Sequence, residues 1–123
     1  PDMKLPILYA LSAPNRVESQ FKRFDFTDYP QLTFQKPDTK KFRNLAIAFE
    51  AMEKGGNVPC VANAANEVAV DAFLNSKIGY KDISYVVEQS IEKIDYIEHP
   101  NLEDYIKTDR ETRQLASEII VNI

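Results

Sequence analysis

Residues 38–56 read DTKKFRNLAIAFEAMEKGG, and this stretch decides the fold. Phe42, Leu45, Phe49 and Met52 recur at steps of three and four, the spacing that lines one side of a helix. Asp38 or Thr39 offers a side-chain oxygen to the first free backbone N–H groups, and Gly55-Gly56 supply an exit at positive φ. The spacing predicts a helix over 39–54 with those four residues on its apolar side.

The helical pattern continues downstream. Pro59 opens a second segment in which Val61, Val68, Ala69, Ala72 and Phe73, with Ala62, Ala64 and Ala65, make an apolar body ending near Ser76. Its alanines allow a neighbouring helix to approach closely. Lys77-Ile78-Gly79-Tyr80 reads as a turn, and Asp82 as the cap of a third helix carrying Ile83, Val86, Val87, Ile91 and Ile94. Pro100 interrupts the chain, and Asn101 caps a single turn through Leu102, Tyr105 and Ile106. Thr108-Asp109-Arg110-Glu111 has the form of a capping box opening a last helix to about Val121. Amphipathic helices joined by short connections make a small bundle over 38–123, because each apolar stripe needs a neighbour to cover it.

Upstream the grammar differs. Residues 1–37 hold five of the seven prolines and six of the thirteen aromatic residues, with no sustained helical period after Leu11. Leu5 to Ser12 is expected to be a short helix, with Asp2 as cap and Pro6 in its first turn. From Gln20 to Phe34 short alternations appear: Phe24 and Phe26 flank Asp25, and Leu32 and Phe34 flank Thr33. These predict extended segments with one apolar side, and a lone pair of short strands is marginal in water. Their expected partner is a sheet that this chain does not supply. The fold class is therefore mainly α: a small helical bundle preceded by a short helix and an extended connecting segment that would join the sheet of an α/β domain.

The bulk numbers narrow the functions available. With 123 residues, one modest core is expected; the formal net charge of −4 provides no general attraction to nucleic acid or anionic lipid. No run of about eighteen apolar residues exists to form a membrane span, and the N-terminal residues lack the layout of a secretory signal. Cys60 is the one cysteine, expected as a buried free thiol; with no partner for a disulfide, a cytoplasmic location is the expectation. Pro1 stands where a start methionine would, which suggests a truncated or cleaved product.

Local chemistry is sparse. Gly55, Gly56 and Gly79 fit no phosphate-binding loop, and His99 has no Cys or second His at ligand spacing, so it reads as a surface loop residue. Glu18, Asp25 and Asp28 share no helical face and make no expected metal site. The string Asn63-Ala64-Ala65-Asn66-Glu67 stands out because amides interrupt an apolar run; it is expected to cap the helix start or to pin loops of a neighbouring domain.

Four strings in order then carry a resemblance. Pro1-Asp2-Met3-Lys4-Leu5-Pro6-Ile7 is similar to P-D-M-R/K-x-P-I. Leu32-Thr33-Phe34 with Pro37-Asp38 is similar to L-T-F-x-x-P-D. Asn63 to Glu67 matches N-A-A-N-E, and Lys77-Ile78-Gly79-Tyr80 with Asp82-Ile83 is similar to R-I-x-F-x-D-I. Together they resemble the C-terminal third of the 1-deoxy-D-xylulose 5-phosphate reductoisomerase family. Ala62 stands where the family commonly has Leu, which trims core volume only.

The resemblance implies a homodimeric cytoplasmic enzyme of non-mevalonate isoprenoid synthesis. Such an enzyme rearranges its substrate and reduces it with NADPH to 2-C-methyl-D-erythritol 4-phosphate, aided by Mg or Mn. It also implies that the cofactor domain, metal ligands and phosphate-binding residues precede residue 1, so that no catalytic, cofactor-binding or metal-binding residue is expected here and the chain alone is inactive and binds neither group. Residues 1–37 would be the end of the catalytic domain and its connection, with Pro1 and Met3 as candidates for an apolar wall of the substrate pocket. Its partner would be the rest of the same enzyme, with no nucleic acid or membrane. The competing reading is a freestanding helical interaction module whose leading aromatic residues dock on a partner's sheet edge.

Overall fold

The computed structural model describes residues 3–123, so the expectations placed on Pro1 and Asp2 lie outside the described residues. It contains helices α1 (Lys4–Ser12), α2 (Arg43–Lys54), α3 (Val58–Leu74), α4 (Tyr80–Lys93) and α5 (Leu102–Val121), and no strand among the described residues. The chain divides into two units, Pro1–Lys36 and Pro37–Ile123.

In the first unit α1 buries none of its residues, although Ile7 and Leu11 lie on it. Residues beyond it follow an irregular path with a turn at 26–28, where Asp25 Oδ1 accepts from the Thr27 N–H at 2.8 Å and from its hydroxyl at 2.6 Å. These bonds hold the Asp25 carboxyl below its ordinary range. Phe24 packs edge-on to Phe26 and stacks on Tyr29, with centroids 5.0 and 5.1 Å apart. The cluster stays open to solvent: Phe26 is 78% exposed and Phe34 87%.

The second unit is built around α3, which packs most extensively on α4 and α5, while α2 lies on α3 and touches α4. Ala64, Ala65 and Ala69 are completely buried, and the small side chains of Ala65 and Ala69 on α3 admit Val86 of α4 and Ala116 of α5, also completely buried. Ile47 of α2, Ala72 of α3, Ile78 just before α4, Ile83 and Val87 of α4, and Ile119 of α5 belong to the same core. Full burial of an Ile or Val side chain stabilises by roughly 1.5–3 kcal/mol before conformational entropy is counted.

Four local expectations are corrected. Helix α2 begins at Arg43 rather than 39, because Asp38 Oδ1 accepts from the Lys40 and Lys41 N–H groups and holds them in a turn. Its buried residues are Ile47 and Ala51, leaving Phe49 58% and Met52 78% exposed. Asp82 lies at the third position of α4, its Oδ2 accepting from the Gly79 N–H at 2.7 Å, so Gly79 is the cap. Finally, Asn101 and Asp104 exchange capping bonds of 3.0 Å and start one continuous α5; Thr108 falls inside it, buried, and opens no new helix.

Candidate functional site

The glycine pair before α3 takes the positive φ expected of it and opens a junction centred on Asn57, which local sequence reading missed. Gly55 and Gly56 both have positive φ, 66° and 58°, and a Cβ on Gly56 would collide with the Ile97 carbonyl oxygen and the Tyr96 ring. Asn57 follows, essentially fully buried. Its Oδ1 accepts from the Ile97 N–H at 3.0 Å, and its Nδ2 donates to the Asp95 carbonyl at 2.9 Å and the Thr108 hydroxyl at 3.4 Å. Its backbone N–H donates to the Ile97 carbonyl at 3.0 Å. The Tyr96 and Tyr105 hydroxyls donate to the carbonyls of Lys54 and Gly56 at 3.2 and 3.4 Å. One carboxamide thus ties the start of α3 to the α4–α5 connection and to α5.

The Asn63–Glu67 string lies in the middle of α3, not at its start, so it caps nothing. Glu67 Oε2 accepts from Arg113 Nη2 on α5 at 2.7 Å, while Arg113 Nε donates to Asp109 at 2.9 Å and Asn63 donates to Glu67 at 3.3 Å. The hydrogen bond from Arg113, then that from Asn63, holds the Glu67 carboxyl below its ordinary range. Asp109 and Glu67 in turn raise the Arg113 guanidinium above its own. The string therefore braces α3 against α5.

Across the bundle, Arg43 donates from Nη1 and Nη2 to both Glu50 oxygens at 2.7 and 3.2 Å, and from Nε to Glu88 at 2.6 Å, linking α2 to α4. Beside it, a cleft of about 400 Å³ opens between α2 and α3, floored by Ile47, Ala51 and Val87 and edged by Asn44, Asn63 and Asn66.

The remaining sequence candidates are separate. Met3, 67% exposed, stands at the start of α1 in the first unit. His99 is exposed in the α4–α5 connection. Cys60 is half-buried rather than enclosed, with its thiol 3.7 Å from the Tyr105 carbonyl; burial, and secondarily the Asp109 charge, push that thiol up, away from thiolate chemistry. Among the described residues no group of three His, Cys, Asp or Glu side chains could hold a metal ion, and no helix is long and apolar enough to cross a membrane.

Comparison with known proteins bears on this arrangement. Residues 1–115 match the family model described as the DXP reductoisomerase C-terminal domain. The chain is 54% identical over 120 residues to 1-deoxy-D-xylulose 5-phosphate reductoisomerase of Phocaeicola vulgatus, covering 98% of this chain and 31% of that protein. It is 48% identical to that of Halothermothrix orenii over 118 residues, 96% of this chain and again 31% of the relative. Among solved structures, the Zymomonas mobilis reductoisomerase in complex with NADPH superposes with a TM-score of 0.86 at 40% identity, covering 98% of this chain and 32% of that one. A DOX-P reductoisomerase in complex with NADPH, fosmidomycin and magnesium gives 0.84 at 34% identity with the same coverage. The chain thus spans about a third of the length of the proteins it matches.

Proposed function

The chain belongs to the 1-deoxy-D-xylulose 5-phosphate reductoisomerase family, matching its C-terminal domain, and from that premise we propose that it serves as the supporting portion of such an enzyme. The reaction is the conversion of 1-deoxy-D-xylulose 5-phosphate to 2-C-methyl-D-erythritol 4-phosphate in non-mevalonate isoprenoid synthesis, in a cytoplasmic homodimer. NADPH would supply hydride, and Mg or Mn would polarise the substrate oxygens. The described residues offer no acidic cluster for the metal, so no chemical step is assigned to them.

In this reading residues 1–37 are the end of the catalytic domain and its connection to the bundle, with Pro1 and Met3 at the apolar wall of the substrate pocket. The observation that carries it is the ordered family match combined with the bare aromatic surface of residues 21–34, a patch of the kind that soluble monomers seldom leave uncovered. The sheet of the catalytic domain would cover those rings.

The test is an assay of NADPH oxidation with 1-deoxy-D-xylulose 5-phosphate and Mg or Mn. The 123-residue chain alone is expected to show none. A chimera in which it replaces the matching 120 residues of the Phocaeicola vulgatus relative is expected to turn over. Turnover by the chain alone, or a folded chimera without activity, would overturn the proposal and favour a freestanding interaction module.

A further inference from the structure

We propose that the cleft between α2 and α3 seats an extended, uncharged main-chain segment from the portion of the family enzymes that residues 1–123 do not span. This rests on the supporting role proposed above and deepens it by naming the surface and the chemistry of what lies there.

Two rows of residues, one from each helix, line the cleft. Asn44, Ala48 and Met52 succeed one another at four-residue steps along α2, and Pro59, Asn63 and Asn66 at steps of four and three along α3. Every residue lining it is uncharged, in a chain of which 28% is charged. The neighbouring cleft differs: it holds Arg43 hydrogen-bonded to Glu50 and Glu88, together with Lys54 and Glu92. A charged ligand would leave its solvation for an apolar floor with no counter-charge, so the first cleft excludes it.

The amides specify more. Among the described residues the side chains of Asn44 and Asn66 make no hydrogen bond, and Asn63 makes one of 3.3 Å to Glu67. Each carboxamide offers a donor and an acceptor, the complement of a peptide group. A helix satisfies its own backbone groups and could meet these amides only through side chains, whereas an extended segment presents its N–H and C=O to them directly. The eight-residue rise from Asn44 to Met52 spans about 12 Å at 1.5 Å per residue, room for three or four extended residues. Phe49 and Met52 add exposed apolar surface on the same helix.

The experiment places a photo-crosslinker in the cleft of the chimera, Met52→p-benzoylphenylalanine, with Ile106→p-benzoylphenylalanine on α5 as control, both positions being exposed in this chain. Irradiation and peptide mapping are expected to join position 52 to a peptide from the relative's own portion, at least tenfold more than position 106. Pairing this with Asn44→Ala and Asn66→Ala is expected to cut the yield at position 52 at least threefold. Cross-links confined to α2 and α3, or joining two copies of this chain, overturn the proposal. An active chimera without the cross-link sinks the cleft alone, whereas a folded, inactive chimera sinks the supporting role. Where the chimera fails to fold, the same probe at the aligned position of the unaltered relative decides the matter.

Discussion

The two units of this chain use apolar residues in opposite ways. In Pro37–Ile123 the completely buried apolar positions are mostly small, Ala64 together with Ala65, Ala69 and Ala116 of the core that holds Val86, and the helices close tightly over them. In Pro1–Lys36 the large apolar residues stay outside: Leu11, Leu32 and the rings of Phe24, Phe26, Tyr29 and Phe34 are all exposed. A buried alanine has little to gain except close approach, while an exposed phenylalanine forfeits one of the larger burial energies available. Self-sufficiency therefore follows how well side chains fit their neighbours, not how hydrophobic a segment is.

Cutting the chain after Lys36 tests this contrast most severely. Residues 37–123 are expected to unfold in one cooperative transition followed by far-UV circular dichroism, and a peptide of residues 1–36 to show none. A cooperative melt of the peptide would break the comparison.

Within the bundle, Gly56→Ala is expected to destabilise by about 4 kcal/mol, combining a left-handed backbone with a Cβ driven into the Ile97 carbonyl and the Tyr96 ring. Gly55→Ala meets open space and should cost about 1–2 kcal/mol from backbone strain alone. Urea titration of both variants separates close packing from strain. Thr112 works the other way: its fully buried hydroxyl has no hydrogen-bond partner among the described residues, so Thr112→Val is expected to add about 1 kcal/mol.

The smallest effect concerns the exposed brace. Because the folded-state Glu67 carboxyl titrates below its unfolded counterpart, its contribution is complete above the unfolded value and disappears as pH falls through the folded one. Stability should therefore drop slightly through the acidic carboxylate range, and Arg113→Met should flatten that part of the curve.

Much of this was legible in the residues. Helices α3 and α4 declare themselves because their apolar residues repeat on one face, and the four ordered strings from Pro1 to Ile83 point to the family. Helix α2 misleads because Phe42, Leu45, Phe49 and Met52 share the helical spacing with Ile47 and Ala51, and only packing on α3 decides which stripe turns inward. Residues 101–104 and 108–111 both fit a capping pattern, and nothing between them breaks a helix, so the earlier one governs. The α2–α3 cleft needs two helices placed side by side before its uncharged lining means anything. Asn57 was hidden for a related reason: between Gly56 and Val58 it looks like ordinary loop text, and its partners lie 38 to 51 positions away.

That distance carries a consequence for the order of events during folding. The Asn57 carboxamide can engage Asp95, Ile97 and Thr108 only after α4 has run its length and the chain has returned, closing a large loop. A clasp of that span is expected to close after the rate-limiting barrier, so that removing it should hasten unfolding far more than it slows refolding, which stopped-flow unfolding and refolding of Asn57→Ala would check. Its role is to keep a finished bundle shut, a matter of lifetime more than of assembly.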